Sequence, residues 1–159
     1  MNPGKKWENK IKQFCKREQI FCYRLKDSPS SFYKDDKNIR FTMNNISDFF
    51  LFYNRRLFIV EAKSTANTSL PYSNFRKSQI VELTANTNRF DGVIVLCFVE
   101  FRRYGEAYII EWDNMKKEMD KEERKSWSYK FIKENGKEIK DNLGNVLGGY
   151  HGNKSNTRD

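Results

Sequence analysis

Residues 93–99 (VIVLCFV) form an unbroken apolar run. A strand with one wet face alternates polar and apolar residues, whereas a strand buried on both faces does not. The run therefore predicts a central strand, covered above and below. It is also the longest strictly apolar stretch, far short of the roughly 20 residues that a membrane-spanning helix needs.

Other elements arrange themselves around that strand. Trp7, Ile11, Phe14 and Cys15 fall at helical spacing among lysines and predict a helix over residues 5–19. Residues 20–26 suit a strand, 26–37 a loop that projects, and 39–43 a short strand. Two further strands, 47–53 and 57–62, flank a turn at Asn54-Arg55-Arg56. After a polar loop at 64–71, Phe75, Ile80 and Leu83 predict a second helix over 74–89. A strand at 106–112 follows, and Asp113 is placed to cap the charged helix after it. From Lys133 the chain turns polar and Gly-rich and reads as loosely held, or packed only as an irregular arm. The division expected is thus a domain over 1–132 and an arm over 133–159. No internal repeat is evident. This order gives a mixed β-sheet flanked by helices, in the α/β or α+β class.

Composition narrows the chemistry. With 30 Lys and Arg against 21 Asp and Glu, the net charge of +9 sits mostly in residues 1–112 rather than in the tail. A polyanion is the natural partner for such a surface, although charge also serves solubility. Residues 1–25 interleave apolar positions with lysines and lack a secretory pattern, so a soluble cytoplasmic protein is expected. Cys15, Cys22 and Cys97 are odd in number and match no zinc or redox spacing. His151 is the sole histidine, which argues against a serine triad, a Cys-His pair and an HExxH zinc site. The glycines at 148, 149 and 152 lack the strand and helix that a phosphate loop requires. An enzyme of this composition would work with carboxylates, lysine and a hard cation.

The strands flanking Asn54-Arg55-Arg56 supply such a set. A two-residue loop pairs Tyr53 with Arg56, and a four-residue loop pairs Phe52 with Leu57. Both give one register, in which Asp48 lies opposite Glu61; an odd loop would break it. Lys63, two residues on, shares the face of Glu61. Facing carboxylates at the end of an apolar strand repel unless a cation lies between them, and Mg²⁺ or Mn²⁺ suits oxygen donors. Lys63 could then steady an attacking hydroxide or a pentacovalent phosphate. The alternative is a solvated strand end.

The segments Asn45-Ile46-Ser47-Asp48-Phe49 and Phe58-Ile59-Val60-Glu61-Ala62-Lys63-Ser64 resemble the PD-(D/E)xK nuclease motif, without its proline. Thr68-Ser69-Leu70-Pro71, Asn74-Phe75, Ser78-Gln79-Ile80, Asp91-Gly92-Val93 and the opening Gly4-Lys5-Lys6-Trp7-Glu8 extend the likeness to RecU-type Holliday-junction resolvases of bacteria and their phages. The likeness covers residues 4–112, with weaker echoes at Arg124-Lys125-Ser126 and 147–150. It implies a restriction-endonuclease-like core and a homodimeric, Mg²⁺-dependent endonuclease, tolerant of Mn²⁺, that nicks four-way DNA junctions symmetrically without a small-molecule cofactor.

By that resemblance Asp48 and Glu61 bind metal with the Ala62 carbonyl, and Lys63 activates or positions water. Gln79 supports the site or is a solvated helix residue. Glu8 approaches the metal through water or pairs with Lys12. Lys34, Lys37, Arg40, Arg55, Arg56, Arg76 and Lys77 are candidates for backbone phosphates, each with a solvated surface charge as its alternative. Phe32 and Tyr33 could stack on unpaired bases, with ordinary packing as the favoured alternative. Ser78 stands where the family often carries histidine, and the segment 27–37 is shorter than the family's stalk. A duplex-cutting restriction or repair nuclease of the same fold, and a non-catalytic DNA-binding module, are the competing readings.

Overall fold

The computed structural model describes residues 1–25 and 45–150. The expected projecting loop at 27–37, the strand at 39–43, Phe32, Tyr33, Lys34, Lys37, Arg40 and His151 lie outside the described residues.

The first helix, α1 (Pro3–Arg17), starts and ends two residues before the expected span of 5–19. The Asn2 side chain accepts the Gly4 N–H at 2.8 Å, Pro3 occupies the first turn, and Lys16 and Arg17 lie in the last turn. Trp7, Ile11 and Cys15, four residues apart, form its buried stripe. The strands β1 (Phe21–Arg24), β2 (Phe49–Tyr53) and β3 (Arg56–Thr65) then run antiparallel in series. Tyr53 pairs with Arg56 across a two-residue turn in which Asn54 and Arg55 both adopt positive φ (48° and 60°). That turn twists with its strands and fixes their register.

The short strand β4 (Ser69–Pro71) and a 3-10 turn (Tyr72–Asn74) precede α2 (Lys77–Asn86). The predicted helix over 74–89 is thus shorter at both ends, and Phe75 lies before it. The Phe75 ring is held by Trp112 and Trp127 at centroid distances of 5.3 and 5.4 Å, so packing rather than helical periodicity buries it.

The predicted central strand is β5 (Val93–Phe101). It pairs parallel with β3 and antiparallel with β6 (Glu106–Glu111). The main sheet has the order β1-β2-β3-β5-β6-β8, where β8 is Lys137–Glu138; β4 pairs with β7 (Ser126–Ser128). Leu96 and Phe98 of β5 enter the core under α1 with Phe49, Leu51, Phe58 and Ile109. Val95, Cys97, Val99 and Phe101 enter the opposite core with Leu70, Leu83, Trp112 and Trp127. The sheet is mixed and helix-flanked, as expected.

Two expectations need correction. Asp113 does not cap α3 (Trp112–Asp120): it lies inside the first turn and pairs with Lys117 at 2.6 Å. Nor is the chain from Lys133 to Tyr150 a loose arm. The helix α4 (Tyr129–Asn135), the edge strand β8 and the helix α5 (Leu143–Gly148) bring Ile139, Leu143, Val146, Leu147 and Tyr150 into the α1-side core. The Glu18 carboxylate accepts the Leu143 and Gly144 N–H groups at 2.9 and 3.0 Å, tying α5 to the end of α1. Gly136 permits the handover from α4 to β8, since a Cβ there would lie 2.7 and 2.9 Å from the Ile132 and Ile109 carbonyl oxygens. Few apolar residues suffice here because nearly all of them are buried. Among the described residues no helix is long and apolar enough to cross a membrane.

Candidate active site

The register of β2 and β3 determines the site. Phe49 pairs with Val60, and the next step along both chains brings Asp48 to Glu61. The chain leaves the regular ladder at Asp48. Its N–H meets the Val60 carbonyl at 3.1 Å, and its Oδ2 accepts the Ala62 N–H at 2.8 Å. The Asp48 carboxylate is therefore turned toward β3 rather than toward solvent.

Glu61 is 1% exposed. Its Oε1 receives Lys63 Nζ and Gln79 Nε2, both at 2.7 Å, while its Oε2 is buried without a hydrogen-bond partner. A buried carboxylate oxygen left unpaired is costly, so Glu61 is held here against its own desolvation. The orientation of Gln79 is dictated locally. Its Oε1 accepts the Arg76 N–H at 3.1 Å at the start of α2, which leaves the amide nitrogen for Glu61. Gln79 is buried, which excludes the solvated reading. The Lys63 ammonium lies 4.7 Å from the centre of the Phe75 ring, a cation–π contact that restrains it beside the carboxylates.

Electrostatics record the crowding. Burial, then the charge of Glu61, pushes the Asp48 carboxyl up to about 7, against the pull of the Ala62 N–H and Lys63. Burial also raises Glu61, which Lys63, Gln79 and Arg76 pull back down. Two carboxylates with raised proton affinity and one unpartnered oxygen form a pair that a hard cation would relieve. Among the described residues no group of three or more His, Cys, Asp or Glu side chains is placed to hold a metal. Two carboxylates fit magnesium nonetheless, since that ion is commonly held by one or two of them and keeps waters.

The remaining candidates separate by position. Glu8 pairs with Arg24 at 2.5 Å rather than with Lys12, and its charge is the smallest of the influences that raise Asp48. Arg24, unremarked in the sequence, holds Glu8 from the end of β1; only the packing of α1 against β1 and β3 reveals that pair. Arg76 and Lys77, exposed at the start of α2, flank the site. Arg55 and Arg56 lie at the turn end of the hairpin. Five strand residues at about 3.3 Å each carry them some 16 Å from Glu61.

The fold also joins Cys15 to Cys22, a pairing that the sequence spacing does not suggest. The two neighbouring thiols act on each other, which raises Cys15 and lowers Cys22; both are free thiols.

The structure of Archaeoglobus fulgidus Hjc, a Holliday junction resolvase from an archaeal hyperthermophile, shares this fold. The two match with a TM-score of 0.58 at 13% identity, over 90% of this chain and 98% of that one. No curated protein matches the chain in sequence. The family model described as Recombination protein U spans residues 8–151, from Glu8 on α1 to just past the last core residue Tyr150. The chain belongs to the RecU family.

Proposed function

We propose that this protein is a structure-selective DNA endonuclease that resolves four-way junctions by metal-dependent phosphodiester hydrolysis, with paired nicks that leave 5′-phosphate and 3′-hydroxyl ends. The observation that carries the reading is the buried, unpartnered Oε2 of Glu61 beside Asp48, with Lys63 in contact, in a chain of the RecU family. A retired site would have no reason to keep so costly an arrangement intact.

Asp48, Glu61 and the Ala62 carbonyl would hold Mg²⁺, which supplies Lewis-acid stabilisation of phosphoryl oxygens when bound. The protein's own groups do the positioning. The Ala62 N–H fixes Asp48, and Gln79 fixes Glu61. Lys63, restrained by Phe75, places a positive charge where negative charge develops on the phosphate or on the attacking water. Arg76 and Lys77 at the start of α2 take flanking phosphates.

Cutting two opposed strands of a two-fold junction requires two such sites, hence a homodimer. Phe21, Tyr23 and Phe52, on one face of the β1–β2 edge, are 61%, 52% and 51% exposed, an aromatic surface suited to a second copy.

The test incubates an end-labelled four-way junction and a matched linear duplex with the protein, with Mg²⁺ or with EDTA, beside Glu61→Gln. Symmetric nicks in the junction alone, lost with EDTA and in the variant, are expected. Equal cutting of the duplex would replace the reading with a general nuclease. Binding without cutting would end the catalytic claim.

A further inference from the structure

On the α1 face of the sheet, opposite the carboxylates, a groove of about 350 Å³ opens between α1 and the turn that joins β5 to β6. Lys6 and Lys10 form one wall and Arg102 the other, with Trp7 and Phe14 also lining it. Lys6 and Arg102 are exposed, and the Lys10 side chain is 55% exposed.

The backbone of Arg102 and the side chain of Lys10 are held in place. Arg102 donates its N–H to the Thr65 carbonyl at 2.9 Å, so it is pinned to the end of the strand that carries Glu61 and Lys63. The turn beyond it is closed by the Tyr104 N–H on Phe101 and the Gly105 N–H on Arg102, at 3.1 and 3.3 Å. Lys10 is held by Glu100 at 2.6 Å, and the other oxygen of Glu100 accepts the Ser64 hydroxyl at 2.7 Å. Ser64 follows Lys63 directly in β3. The groove and the carboxylate site therefore meet at one end of the sheet, joined through Lys63, Ser64, Glu100 and Lys10.

The acidic groups facing the groove are Glu100, already neutralised by Lys10, and Glu106. The latter accepts hydrogen bonds from the hydroxyls of Tyr108 and Tyr129 and lies 3.7 Å from Lys133. That leaves Lys6 and Arg102 as cations with no carboxylate of their own among the described contacts, on either side of a cleft. An anion with a long charged edge satisfies both walls at once.

We propose that this groove seats the sugar–phosphate backbone of a DNA arm as it passes over the end of the sheet from the cleavage site, with Lys6, Lys10 and Arg102 contacting its phosphates. The inference rests on the nuclease reading above and adds to it a second contact surface on the opposite face.

The experiment measures binding of the full chain to a four-way junction in Ca²⁺ or EDTA, so that no cutting intervenes, across a salt series. Wild type, Lys6→Ala with Arg102→Ala, and Lys117→Ala as a control on the other face are compared, with thermal melts to verify folding. The double variant is expected to bind roughly ten-fold more weakly, and its plot of log affinity against log salt to lose about 2 from its slope, as two lost phosphate contacts require. The control should match wild type. A double variant that binds and responds to salt like wild type would overturn the groove while leaving the nuclease reading intact. A wild-type protein that does not bind the junction would overturn both.

Discussion

Glu61 and Glu100 sit on adjacent strands of one sheet, at 1% and 7% exposure, yet they are treated differently. Glu100 uses both oxygens, one on Lys10 and one on Ser64. Glu61 accepts two donors on a single oxygen and leaves the other bare, with a second carboxylate across the strand pair. A carboxylate that serves structure is fully paired by the protein, whereas the open oxygen of Glu61, held at a cost to folding, is the feature that the proposed metal role would use.

The largest test of that contrast is Glu61→Gln against Glu100→Gln. Loss of the charge at Glu61 should lower junction cleavage by at least ~10³-fold, about 4 kcal/mol on the barrier. Its melting temperature at pH 8 should nevertheless hold or rise, because a buried charge has gone. Glu100→Gln should instead destabilise by about 1 kcal/mol, as a charge-assisted pair is weakened. Melts in which both variants move the same way would remove the distinction.

Next in size is Lys63→Ala, expected to lower single-turnover cleavage by roughly 10²-fold while junction binding in Ca²⁺ holds. A variant that loses binding and keeps its rate would reassign Lys63 to the phosphate surface.

The pH response follows from the raised carboxyls. Between the ordinary carboxylate range and about 7, folded Asp48 holds a proton that the unfolded chain has released. Metal-free stability should therefore fall as pH rises through that window and flatten above it. Asp48→Asn should shrink the slope, and millimolar Mg²⁺ should raise the melting temperature at pH 8 in wild type but not in Glu61→Gln. A metal-free stability that increases from pH 4 to pH 7 would contradict the crowding inferred at the site.

The smallest effect is assigned to Gln79→Ala, about ten-fold in rate. Gln79 acts by holding Glu61, so the loss should appear in the rate and in the Mg²⁺ concentration needed, with DNA affinity unchanged. Equal loss in DNA affinity would place Gln79 on the DNA instead.

Local patterning carried much of this molecule. The apolar run of β5, the stripe of Trp7, Ile11 and Cys15, and the two-residue turn at Asn54-Arg55 each specify one element, and the turn also sets the register that brings Asp48 to Glu61. Where periodicity was weak, it misled. Phe75 belongs to an aromatic cluster with Trp112 and Trp127 rather than to a helix, and the polar stretch after Lys133 closes the core with a few well-placed side chains.

The sequence by itself determined the strand pair and, for any even-length turn, the register that sets Asp48 opposite Glu61, because backbone hydrogen bonding propagates register from a short turn; the two-residue turn of the structure meets that condition. The tertiary structure alone decided that Gln79 closes on Glu61, that Arg24 holds Glu8, that Cys15 meets Cys22, and that Lys6 and Lys10 face Arg102 across a groove. Those contacts join residues from separate elements, and the distances between them follow from how helices pack on a sheet, which no local pattern records.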